Sequence, residues 1–174
     1  PGLGALAAAR GGRDSRLAGN LAALGVSADD ISVVSKHDTS TNANDPNEAE
    51  LHSLIAQALG RSEGNPLYVV SQKTLTGHSK GGAALFQLAG LTQIFASGLI
   101  PGNMALDCMD PVFEEDSFLV WPRSPFQHEG VKAGLISSLG FGHVSALLAL
   151  AAPGAFEAAV ERAHGADRVE EWKR

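Results

Sequence analysis

The sequence has one cysteine, no surplus of basic charge and no long apolar run. A single Cys108 cannot close an internal disulfide, so a reducing compartment, the cytoplasm, is expected. The 13 Lys and Arg stand against 19 Asp and Glu, a net charge of -6. No basic surplus neutralises phosphates, which argues against nucleic acid as the main partner. No apolar stretch reaches membrane-span length, and the Gly- and Ala-rich start lacks the charged-then-apolar order of a signal peptide. There is no close His pair at helical spacing and no Cys cluster, so no metal is expected. Repeats, low-complexity tracts and internal linkers are missing too.

What remains is a chain of 174 residues, 44% hydrophobic, enough for the core of one domain. Its start, "PGLGALAAARGGRDSR", reads as a loop cut into mid-chain, and its end, "RVEEWKR", as a charged helix. Both ends are expected to belong to something longer. Residues 1–30 form a leading loop and helix, 31–151 the core and 152–174 a C-terminal helix. "RLAGNLAALGV" (16–26) has helical spacing with Gly25 as its stop. "ISVVS" (31–35) and "PLYVVSQ" (66–72) are β-branched runs, hence strands. Asp45, Pro46 and Glu48 read as N-cap, N1 proline and N3 carboxylate of a helix over 46–60. Ala83 to Ser97 is a second helix, apolar on most sides and therefore expected to be buried. Strand candidates follow at 117–121, 134–142 and 144–151, and Pro153 starts a last helix. The alternation predicts an α/β fold, a sheet with helices on its faces.

Ligands of such sheets gather at the carboxyl ends of the strands. His37 stands just past the first strand, in "SKHDTSTNANDPNEAELH". His78 stands in the loop after the second, five residues beyond Lys73. Two imidazoles and an ammonium at one sheet edge suit a carbonyl or carboxylate that develops negative charge. The Gly-rich "GHSKGG" opens a helix and adds positive potential, without matching a phosphate-binding loop. From the residues alone, a structural role for either histidine stays open.

Three motifs resemble those of the β-ketoacyl synthases. His37-x-Thr39-Ser40-Thr41, with Asp45 and Glu48 beyond, resembles their His-Gly-Thr-Ser-Thr motif; "KTLTGHSKGGAA" (73–84) resembles their second histidine motif; "SSLGFGH" (137–143) resembles their Gly-Phe-Gly loop. The likeness covers roughly residues 30–151, and Lys80 with "GLIPGNMALDCMD" looks most like the ketosynthase of type I fatty acid synthases, of the actinobacterial or fungal kind. Asp38, Gln87 and His143 depart from the family pattern, standing where relatives carry glycine, glutamate and glycine. A charge at Asp38 is expected to favour protonated His37.

The resemblance implies the second half of a layered, thiolase-like αβαβα fold with a five-stranded mixed sheet. Its nucleophile, a cysteine, belongs to a first half absent from this sequence. Cys108 falls between Asp107 and Asp110, acidic surroundings that do not make a nucleophile, and at no family position for one. His37 and His78 would polarise the thioester carbonyl of malonyl-acyl carrier protein, with Lys73 orienting His37. Thr39 and Thr41 would hold the 4'-phosphopantetheine arm. Phe141 would supply an oxyanion-hole N–H and a gating ring, on a loop freed by Gly140 and Gly142. Asp45 and Glu48 would be structural. No cofactor would bind directly. The implied partners are acyl carrier protein, the first half of the ketosynthase and a dimer partner within a larger homo-oligomer. Two rivals stand beside this: a polyketide- or mycolate-type condensing enzyme, and a non-catalytic scaffold of the same fold. His52, His128, His164, Trp121, Trp172 and the acidic run 114–116 are read as packing or surface residues.

Overall fold

The computed structural model describes residues 9–140 and 144–174. Helix α1 (Arg16–Ala23) is capped by Ser15, whose hydroxyl accepts from Ala18 N, and leads into strand β1 (Ile31–Ser35). Helix α2 (Asn44–Ala58) follows, then strand β2 (Leu67–Val70), the single-turn helix α3 (Lys73–Thr76) and helix α4 (Ala83–Ser97). Strands β3 (Leu99–Ile100), β4 (Leu119–Val120), β5 (Phe126–Gln127), β6 (Ala133–Leu139) and β7 (Ser145–Ala151) come next, with helices α5 (Pro153–His164) and α6 (Ala166–Lys173) last.

Five of these strands form a mixed sheet in the order β4-β2-β1-β6-β7. The first four run parallel and β7 returns antiparallel to β6, as expected for closely spaced apolar runs without a helix between them. β1 is covered on both faces. Val34, Val69 and Leu135 join the core beneath α1 and α2, while their neighbours Val33, Val70 and Ile136 join the core beneath α4. That division of alternate side chains is why Val33 and Val34, neighbours on opposite faces of β1, are both apolar. Gly134 lets α4 sit down on the sheet: a Cβ there would lie 2.6 Å from Leu91 Cδ1.

Four expectations change. The helix after β1 starts at Asn44, and Asp45 is not its cap; Thr41 Oγ1 accepts from Asn44 N at 3.2 Å instead. "TLTGHSKGG" is not all loop, since it contains α3 and a 3₁₀ turn, Lys80–Gly82. The C-terminal segment is two helices, because Gly165 at φ 86° and ψ 160° breaks the run. Finally, α4 is buried on one side only: Ala83, Gln87, Leu91 and Ile94 face the sheet, whereas Leu85 is 69% and Phe86 45% exposed. A small antiparallel pair, β3 with β5, was not foreseen at all. No helix among the described residues is long and apolar enough to cross a membrane.

Candidate active site

The site lies where β1 and β2 end. His37 follows β1 by two residues and is buried, while the exposed His78 follows α3. Their rings meet edge to face, centroids 5.3 Å apart with an interplanar angle of 86°. Lys73 opens α3 and points back at β1, where its Nζ lies 3.1 Å from His37 Nδ1 and also donates to the His37 carbonyl. An ammonium has only donors, so His37 Nδ1 accepts and its ring proton sits on Nε2. His78 is set the same way, because its Nδ1 accepts from Lys80 N at 3.1 Å. Lys80 occupies the left-handed region at φ 50°. Two imidazoles thus keep Nε2–H groups as donors at one sheet edge, a pairing suited to an oxygen that gains negative charge.

Burial, and next the charge of Lys73, push His37 below its ordinary pKa. Burial likewise lowers Lys73. Asp38 acts in the expected direction and favours the imidazolium, but burial and Lys73 outweigh it. The Asp38 carboxylate is taken up elsewhere, accepting from Ser71 Oγ and lying 3.8 Å from Lys36 Nζ. The backbone explains the family glycine at this position: Asp38 has φ 47°, and Ser40 beyond it has φ 53°. Each left-handed non-glycine residue costs about 1 kcal/mol or more, with Asp tolerating it better than most.

That loop is held by Glu48, which is fully buried. Its carboxylate accepts from His37 N, from Asp38 N at 2.8 Å, from Asn44 Nδ2 at 3.1 Å and from the hydroxyl of Ser137. Burial alone would raise its pKa, but Lys36 and these donors outweigh that and hold it below the usual value. Asp45 has no such set: its Oδ1 is buried with no partner among the described residues, and burial raises its pKa. The hydroxyls of Thr39 and Thr41 lie 3.4 Å apart on the open side of the loop. Gly140 N donates to Val144 O at 2.7 Å, just past the last β6–β7 pair, Leu139 with Ser145. Phe141, Gly142 and His143 lie outside the described residues.

Four polar residues have structural roles that the sequence did not show. Gln87, 1% exposed, donates through Nε2 to the carbonyls of Ser35, Lys36 and Ser137, pinning the ends of β1 and β6. It makes no hydrogen bond to Lys73. A carboxylate has no proton for those carbonyls, so Gln87→Glu is expected to destabilise the protein by about 1–3 kcal/mol, read as a lowered denaturant midpoint. Asn103 bridges Ser71 N, Val69 O and Pro122 O, tying β2 to the chain leaving β4. His52, read as unremarkable, is buried and lies 3.0 Å by Nε2 from Ser137 Oγ; burial lowers its pKa to about 4. Asp116, read as solvated surface, accepts from Ser53 Oγ, Phe118 N and Leu119 N. A lone polar side chain among apolar helix positions, as at Gln87, was the available signal.

The chain is similar to known proteins in sequence and in fold. The family described as "Beta-ketoacyl synthase, C-terminal domain" matches residues 4–107. The chain belongs to that family. The fatty acid synthase subunit alpha of Candida albicans is 43% identical over 86% of this chain, which spans 8% of that relative. Solved ketosynthases share the fold. FabY from P. aeruginosa matches 97% of this chain and 25% of its own at TM-score 0.78 and 23% identity. A ketosynthase in complex with its type II polyketide acyl-carrier protein and bound hexaketide matches 78% of this chain and 31% of its own at TM-score 0.63 and 22% identity. The ketosynthase C-terminal domain is thus an α/β unit, the second half of a thiolase-like fold, with five mixed strands and helices on its faces. Within that unit, strands β1 and β2 deliver His37 and His78.

Proposed function

We propose that the chain is the second half of a β-ketoacyl-acyl carrier protein synthase domain within a type I fatty acid synthase. The reaction is a decarboxylative Claisen condensation. The bond between the malonyl α-carbon and its carboxylate breaks and CO₂ leaves. The electron pair stays as an enolate, whose carbon attacks the acyl thioester on the enzyme's cysteine, and the thiolate departs. The observation that carries this reading is the His37–His78 pair with Lys73 on Nδ1 of the first. Two neutral imidazoles donating from Nε2 stabilise an enolate oxygen whose charge is absent from the ground state, which is what lowers a barrier.

Thr39 and Thr41 hold the 4'-phosphopantetheine arm, the carrier of both substrates; no other cofactor is needed. Phe141, Gly140 and Gly142 form the oxyanion-hole and gating loop. Glu48 fixes the His37 loop. The partners are acyl carrier protein, the nucleophile-bearing first half of the domain and a dimer partner in a larger oligomer, all in the cytoplasm. The 43% identity to a fatty acid synthase subunit supports fatty acid over polyketide synthesis. The retained histidine pair speaks against an inert scaffold. The complete protein, given acyl- and malonyl-acyl carrier protein, should release one CO₂ for each ketoacyl product. Release of CO₂ without any ketoacyl product, or no reaction at all, would overturn the assignment.

A further inference from the structure

Behind His37 lies a chain of buried polar groups that the reaction itself does not use. Ser137 on β6 is wholly buried, with a hydroxyl that meets three partners. It donates to Glu48 Oε1, accepts from His37 N at 3.2 Å, and lies 3.0 Å from His52 Nε2. A hydroxyl has one proton, already given to the carboxylate, so His52 is the donor to it and carries its proton on Nε2. Among the described residues His52 Nδ1 then has no partner, and burial keeps the ring neutral at ordinary pH. An unpaired buried nitrogen costs free energy, so packing alone favours an apolar residue at this place on α2. The cost is offset only by what the other nitrogen holds.

We propose that His52 and Ser137 are positioning residues for the His37 imidazole. His52 fixes the Ser137 hydroxyl, and Ser137 with Glu48 fixes the His37 N–H. The main chain of His37 thus hangs from α2 and β6 at once, while Lys73 sets its ring from β2's side. Losing the relay leaves His37 in place but loosens its height and rotation against His78. Misplacement of a reacting group by about 1 Å costs on the order of a hundredfold in rate.

This inference rests on the proposed condensation, and the test separates the two. In the complete synthase, Ser137→Ala and His52→Leu are expected to lower the kcat of malonyl decarboxylation about tenfold to a hundredfold. KM for malonyl-acyl carrier protein and the rate of acyl transfer to the nucleophile should stay within about twofold, because neither step needs the His37 donor. Ser137→Thr, which keeps the hydroxyl, and His52→Gln, whose amide N–H replaces Nε2–H, should restore most of the rate. Equal losses of acyl transfer and decarboxylation in Ser137→Ala and His52→Leu would assign these residues to folding alone and overturn the proposal. Full decarboxylation by Ser137→Ala beside an inactive His37→Ala would also overturn it, with the function intact. Full decarboxylation by His37→Ala would instead overturn the proposed function.

Discussion

Alanine at His37 or at His78 in the complete synthase should each slow malonyl decarboxylation by about a hundredfold to a thousandfold, the usual loss when one oxyanion donor is removed. Their rings are 5.3 Å apart, close enough to serve one oxygen, and each has its Nδ1 occupied by a neighbouring donor. Acting on a single developing charge, they are not independent. The double variant should lose much less than the product of the two single losses. Acyl transfer to the cysteine should survive in all three, since the nucleophile performs that step. Decarboxylation assays with radiolabelled malonyl-acyl carrier protein, run beside acyl-loading assays, read the two steps separately. A single variant that decarboxylates at the wild-type rate would remove its histidine from the mechanism.

Much of this centre was legible because strand ends in parallel sheets place consecutive loops side by side. "ISVVS" followed by His37, and "LYVV" followed by Lys73 and His78, state the strand and its cargo in one short stretch. The supports were not legible for the opposite reason. Glu48 reads as an N3 helix residue by spacing, yet its partners include Ser137, 89 positions away. His52 falls on a helix whose period says only which side is inward, not that a hydroxyl waits there. Asp38, in place of the glycine that the resemblance implies, was read only for its charge beside His37. In the fold it is a left-handed position in the loop that carries His37, where Asp stands at φ 47°.

The helix after the second histidine carries the other large expectation. Read as sequence, "ALFQLAGLTQIF" is apolar nearly all round. In the fold, the sheet covers only its Ala83, Gln87, Leu91 and Ile94 side. Leu85 and Phe86 turn outward, and on β7 at the sheet edge Leu148 is 45% exposed. Soluble monomers rarely leave contiguous apolar patches beyond a few hundred Å² uncovered. In the proposed synthase the first half of the domain covers the outer face of α4, and its cysteine meets His37 and His78 there. Residues 1–174 expressed alone should therefore self-associate, and Phe86→Glu should shift them towards monomer, as read by light scattering. They should also make no ketoacyl product. The sole cysteine, Cys108, is exposed and lines a cavity of about 360 Å³ with Lys36, Asp38, Asp110 and Trp121, and neither His37 nor His78 is among its lining residues. Without a thiolate beside those rings no acyl-enzyme forms, whatever the histidines do. A monodisperse monomer that condenses malonyl and acyl thioesters would overturn both the covering half and the role denied to Cys108.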